Sequence, residues 1–261
     1  MKRSVSALMT VGLLMLSTAP ALTAIIPISG RGLTGTRSLS RGVAVPSGLN
    51  SFSFNFENGD HHIKGITALP NDLRTTVGFI DNDGNDPYQV SLQVENDLGA
   101  GARSVFALDN RTCNGGTCRV RLPVPCGSQN TFVLTGFSFQ FKDGDHQIKK
   151  VAIKRIEDEL EVSFGDKTPT DPYVWSVQYA IVPRANLASE QTIRRATNGS
   201  ARAARLPGRA VIQGFSFEFT RDDHHLRDFK VDLQNNQVAI NFRDNNLDDP
   251  VNWSVDYGVL R

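Results

Sequence analysis

Aspartate and histidine are the residues of this chain whose types and spacing could carry chemistry. Asp60-His61 is followed by Asp81 and Asp86, Asp145-His146 by Asp166 and Asp171, and Asp223-His224 by Asp244 and Asp249, and each set ends in Asp-Pro. Carboxylates beside an imidazole can hold a cation, with Ca²⁺ the natural choice for an oxygen-rich loop outside the cell. They can equally hold a sugar, because carboxylates accept hydrogen bonds from hydroxyls and a neutral His both donates and accepts. A plainer role stands beside both: Asp shapes turns by bonding nearby backbone N–H groups, and Asp before Pro initiates turns with no ligand at all. Asp81-Asn82-Asp83-Gly84-Asn85-Asp86 starts like an EF-hand loop but lacks its full spacing and flanking helices. The second set has Lys167-Thr168-Pro169-Thr170 in that interval, so the intervening acidic positions are dispensable.

These sets sit inside a stretch written three times without gaps, as residues 52–94, 137–179 and 215–257. All copies share Phe-Ser-Phe-x-Phe, then Asp-His, then Phe-x-Asp-x4-Asp-Pro. A repeat must be recognised before a fold is proposed. Within it apolar residues recur at every second position, as in Phe137, Phe139 and Phe141, or Tyr173, Trp175, Val177 and Tyr179, which is the signature of strands with one buried face. Trp175 and Trp253 share the parity of these apolar residues and are assigned to the core rather than to a sugar-stacking platform. Four such strands joined by short turns read as a meander, whose first and third turns, carrying the Asp and His residues, share one end.

Before each copy lies a segment divisible into two short pieces around a turn, so a module holds a hairpin plus the repeated core. The fold class expected is all-β: three tandem antiparallel β-sandwich-like repeats of about six strands each, over residues 25–98, 99–183 and 184–261. The alternative is a single threefold β-trefoil or β-prism-like body, against which the long linkers between cores count. Residues 184–196 are ambiguous between helix and strand.

Residues 1–21 read as a secretory signal peptide: Lys2 and Arg3, an apolar run, then Ala19-Pro20-Ala21. The run is short of the roughly 20 apolar residues that span a bilayer, so no stable membrane insertion is expected after cleavage. Removing Lys2 and Arg3 takes the formal charge from +1 to −1, which gives no reason to expect nucleic acid as a partner. Export makes a disulfide the first reading of Cys113, Cys118 and Cys126, and Cys113–Cys118 across Asn114-Gly115-Gly116-Thr117 is the easiest bridge. Arg194, Arg195, Arg202, Arg205 and Arg209 read as a solvated, edge-protecting cluster.

No Gly-x-Ser-x-Gly elbow, phosphate-binding Gly-x4-Gly-Lys loop or His-Glu-x-x-His helix occurs. Three copies of one cluster favour repeated binding over catalysis. The sequence therefore points to a secreted or periplasmic, non-enzymatic, multivalent protein that recognises carbohydrate in lectin-like fashion through its acidic turns, with a glycan or a cell-surface protein as partner. A structural or adhesive repeat protein is the alternative, and a glycoside hydrolase a remote one.

Overall fold

Period-two alternation becomes strand almost everywhere. The computed structural model describes residues 25–33, 35–39, 42–43, 46–57, 61–81, 86–144, 146–168, 170–221, 225–234, 237–244 and 249–261; residues 1–21, expected to be a signal peptide, lie outside them. The first repeat supplies β1 (Ile25–Leu33), β2 (Gly35–Leu39), β3 (Gly48–Phe56), β4 (Ile63–Pro70), β5 (Thr75–Asp81) and β6 (Pro87–Glu95). The second supplies β7 (Arg103–Cys113), β8 (Thr117–Arg121), β9 (Asn130–Phe141), β10 (Ile148–Ile156), β11 (Glu159–Asp166) and β12 (Tyr173–Pro183). The third supplies β13 (Leu187–Asn198), β14 (Ser200–Arg205), β15 (Ala210–Phe219), β16 (Leu226–Asp232), β17 (Gln237–Asp244) and β18 (Pro250–Leu260). The ambiguous 184–196 segment resolves into a 3-10 turn, Arg184–Asn186, followed by β13. No helix among the described residues is long and apolar enough to cross a membrane.

The class is all-β with six strands per repeat, as expected, and each repeat is a two-layered unit. Its first, third and sixth strands lie in one sheet, and its second, fourth and fifth in another. Each of the three six-stranded sheets is then completed by strands of a neighbouring repeat, in the orders β1-β6-β3-β16-β17-β14, β2-β5-β4-β9-β12-β7 and β13-β18-β15-β10-β11-β8. The sandwich-like repeats therefore close on one another as the faces of a prism, which is the arrangement of the threefold alternative. The seams are antiparallel pairs at the centre of each face, β3–β16, β4–β9 and β10–β15. A hydroxyl pair, Thr67 Oγ1 with Ser138 Oγ at 2.8 Å, bridges one seam on its outer surface.

The meander expectation is corrected here. The four strands of the repeated stretch split two and two: β3 pairs with β6 in one face and β4 with β5 in the next. Period two tells which side of a strand is buried, but not which strand lies beside it. The linkers that counted against closure are what permit it. The strand pairs β1–β2, β7–β8 and β13–β14 each turn a corner, one strand edging one sheet and the next edging its neighbour. Tyr88 and Tyr173 pin two of these corners through hydroxyls donated to the carbonyls of Gly35 and Gly116 at 3.0 and 3.1 Å. The third repeat has Val251 at that position, and Trp253 Nε1–H donates instead to Thr197 Oγ1 at 3.0 Å. The disulfide links Cys113 and Cys118 across the β7–β8 corner, Cα atoms 5.9 Å apart, and leaves Cys126 a buried thiol.

The first Phe of each Phe-Ser-Phe-x-Phe meets its counterparts on the prism axis. Phe52, Phe137 and Phe215 have ring centroids 5.1, 5.1 and 5.4 Å apart, and none is exposed. Burying a Phe side chain stabilises by about 1.5–3 kcal/mol, and edge-to-face pairs add to that. Phe229 of β16 joins this cluster, 4.9 Å from Phe52. Trp175 and Trp253 are buried, in agreement with their core assignment.

Candidate functional site

Each Asp-His turn carries the chain from one face to the next, and the third Phe of the motif fixes how it crosses. Phe56 is stacked between Phe79 at 4.3 Å and the His61 ring at 3.8 Å, and Phe141 between Phe164 at 4.5 Å and the His146 ring at 3.8 Å. The imidazole thus caps an aromatic pile rooted in the core, and both histidines are buried. Gly144 makes room for this cap. It has φ of +91°, and a Cβ there would stand 3.3 Å from Cε1 and Nε2 of His146.

The second carrier of the site is the end of the β4–β5 or β10–β11 hairpin. Asp81 and Asp166 are the last residues of β5 and β11, paired with Ile63 and Ile148 across the ladder. Asp86 and Asp171 precede β6 and β12. His61 Nδ1 lies 2.8 Å from Asp81 Oδ2 and 3.4 Å from Asp86 Oδ2. His146 Nδ1 lies 3.2 Å from Asp166 Oδ2 and 3.4 Å from Asp171 Oδ2. In both repeats the nearer Asp is buried, while the Asp86 and Asp171 side chains are 36% and 32% exposed and form the mouth. The other oxygen of the buried Asp is also engaged. Asp81 Oδ1 accepts the His62 N–H at 3.0 Å, and Asp166 Oδ1 accepts the Thr168 N–H. The first and third turns therefore do share an end, as expected, although the strands they join belong to different sheets.

Burial pushes the Asp166 carboxyl above the ordinary range; the Thr168 N–H and the neighbouring His146 ring draw it back, while the Asp171 charge pushes it up. His146 Nε2 contacts the backbone carbonyl of Asp143. A carbonyl can only accept, so Nε2 carries a hydrogen and Nδ1 is the atom aimed at the carboxylates.

Asp60, Asp145, Asp223 and His224 lie outside the described residues, so of the expected set the structure brings together His61, Asp81, Asp86 and His146, Asp166, Asp171. In the third repeat Asp244 ends β17 and pairs with Leu226, the same ladder position as in the other two, and is buried; Asp249 is partly exposed. The three turns lie at one end of the prism, since Gly65 pairs with Gln140, Lys150 with Glu218 and Asp228 with Asn55, each pair just inside two adjacent turns.

The residue after each Asp-His was not singled out in the sequence. His62 and His225 have ring centroids 4.6 Å apart, and Gln147 Nε2 lies 3.5 Å from His225 Nε2, so one residue per repeat meets near the axis between the rims. The only sequence signal was their shared place in the repeat. A separate polar hollow of about 360 Å³, lined by Arg155, Arg194, Gln213 and Asp256 among others, lies toward the opposite end. No family model matches the chain, and no curated protein matches it.

Proposed function

We propose that the protein is a non-enzymatic, multivalent binding protein that recognises carbohydrate through acidic rims carried on one end of a threefold prism. The observation that supports this best is the duplication of one geometry: His61 Nδ1 stands 2.8 and 3.4 Å from Asp81 and Asp86, and His146 Nδ1 stands 3.2 and 3.4 Å from Asp166 and Asp171, on rims that face the same way. Asp86 and Asp171, partly exposed at the mouths, are acceptors within reach of sugar hydroxyls, and Asp249 is their partly exposed counterpart in the third repeat. Weak sites at fixed spacing on one face gain avidity against a surface that repeats its ligand. The donor atoms of each rim lie within 4.8 Å of one another, close enough to act on one ligand group. The Cys113–Cys118 bridge supports a place in an oxidising compartment, secreted or periplasmic.

Burial of His61, His146 and Asp81 favours a second reading, in which the sets are latches of a structural or adhesive scaffold that binds a cell-surface protein by other residues. A glycan array separates the two. Retention of the chain on particular glycans, abolished in the Asp86→Asn, Asp171→Asn, Asp249→Asn triple variant with its melting temperature nearly kept, is the expected result. No retention on any glycan, or retention indifferent to the three changes, overturns the carbohydrate reading and leaves the scaffold.

A further inference from the structure

We propose that the rims of the first two repeats are binding sites for a first-row divalent transition ion, zinc foremost, held by His61 Nδ1, Asp81 and Asp86 in one and by His146 Nδ1, Asp166 and Asp171 in the other. The inference concerns the same rims but does not depend on what sugar or surface they engage.

The spacing of the donors comes first. Ligands about 2 Å from a tetrahedral ion stand about 3.3 Å from one another. The Nδ1 to carboxylate distances are 2.8 and 3.4 Å in the first rim and 3.2 and 3.4 Å in the second. Two carboxylates converge on one ring nitrogen, whereas a single N–H has one hydrogen to give.

The tautomer comes second, and it lies outside the cluster. His146 Nε2–H is committed to the Asp143 carbonyl, and His146 is 3% exposed. In the neutral ring Nδ1 is then a lone pair facing two negatively charged oxygens, which only a cation between them can reconcile. In the second rim this is the usual arrangement of a metal-bound imidazole, an outer N–H given to a backbone carbonyl while the inner nitrogen ligates. His61 Nε2 has no hydrogen-bond partner among the described residues, so the first rim is assigned on the spacing of its donors alone. The rival cation is a proton, which would make the ring an imidazolium paired with both carboxylates.

The donor set then selects the ion. An imidazole nitrogen with two carboxylates suits zinc and its first-row neighbours, whereas Ca²⁺ takes six to eight oxygens. The second rim has no other carboxylate between Asp166 and Asp171, since Lys167, Thr168, Pro169 and Thr170 fill the interval. The partly exposed Asp86 and Asp171 leave one side of each rim open, which is where a fourth ligand, water or a partner oxygen, would bind.

The test is calorimetric titration of the EDTA-stripped full chain with ZnCl₂ alone, no glycan present. Saturable uptake of at least two equivalents is expected. Asp171→Asn should remove one equivalent, and Asp86→Asn with Asp171→Asn two, the affinity of an altered rim falling by more than about 100-fold, beyond the usual effect of outer-sphere changes. No saturable uptake, uptake unchanged in the double variant, or tighter uptake of Ca²⁺ than of Zn²⁺ overturns the proposal. Because either variant can fold poorly, Co²⁺ is also titrated into the unmodified chain. Visible d–d bands that Zn²⁺ displaces are expected, and their absence is equally decisive against the site. Failure here leaves the glycan reading standing, and an unreactive glycan array leaves the metal sites standing.

Discussion

At the rim end of the prism the same buried polar groups recur from repeat to repeat, whereas at the opposite end the equivalent positions diverge. Asn50 is matched by Thr135 and Gln213, and Glu95 by Ala180 and Gly258. Asn50 donates to the carbonyls of Ala210 and Leu233 at 2.7 and 3.4 Å. Gln213 donates to Thr131 Oγ1 and Glu190 Oε1, each at 2.9 Å. These groups satisfy local backbone and side-chain partners that exist once in the molecule. Leu98, Val133, Val182, Leu187 and Val211 belong to a small second core separate from the main one. A buried polar group costs stability unless it is paired, so one that solves a local problem need not be repeated. The rim groups are buried as deeply, yet recur with their geometry intact, which fits a task performed more than once.

Repetition alone does not mark a task, because Phe52, Phe137 and Phe215 recur and are pure core. Phe137→Ala should separate the two meanings with the largest effect, a loss of about 3–5 kcal/mol in denaturant unfolding from the cavity left on the axis. Zinc bound per folded molecule should be unchanged in that variant. A parallel fall in both quantities would show that the rims report only on packing at the axis.

His146→Ala comes next. It uncaps Phe141 and takes from the buried Asp166 its ring partner, a change expected to cost about 1–3 kcal/mol by the usual penalty for a stranded buried partner. Adding zinc should raise the melting temperature of the native chain and raise that of the variant less, since a ligand stabilises the fold only in proportion to the sites that bind it. Equal zinc responses would erase the distinction between the ends.

The sequence made the strands and the rims legible for one reason, fixed spacing. Alternation exposed the faces of β9 and β12, and the recurrence of Asp-His with Asp-x4-Asp-Pro exposed groups that had to meet. Sheet partners left no such mark, because Phe54 looks equally buried whether β3 lies beside β4 or beside β16. The cluster of His62, Gln147 and His225 was hidden because each repeat gives it one residue and the types differ. Glu95 and Arg209, 3.3 Å apart though 114 residues distant, carry no local pattern at all.

Gly144→Ala should act more gently than loss of the ring. The methyl group must share space with the His146 ring at a positive φ that alanine adopts poorly, at a cost of about 1 kcal/mol. If the rim is a binding site, that displacement should also weaken zinc uptake at the second rim while sparing the first. Thermal melting and calorimetry on the same sample check both, and a stability loss with full-strength uptake would make the aromatic cap a latch only.

The smallest effect should come from Glu95, the opposite end's counterpart to the buried Asp166. Burial pushes the Glu95 carboxyl above its ordinary value of 4.5, while the Asp97 N–H and the Arg209 guanidinium pull it back. Between the ordinary and the raised value the folded chain binds more protons than the unfolded one, so stability falls as pH rises through that window and stays lower above it. Glu95→Gln has no charge to bury and still offers an oxygen to Arg209 and to the Asp97 N–H. Its melting temperature relative to the native chain should therefore climb as pH is raised from about 4 toward neutrality, with zinc uptake unaltered throughout. A flat difference across that range would mean that Arg209 fully offsets the burial of Glu95. The ends would then differ in how often a polar group recurs, and not in how well each is compensated.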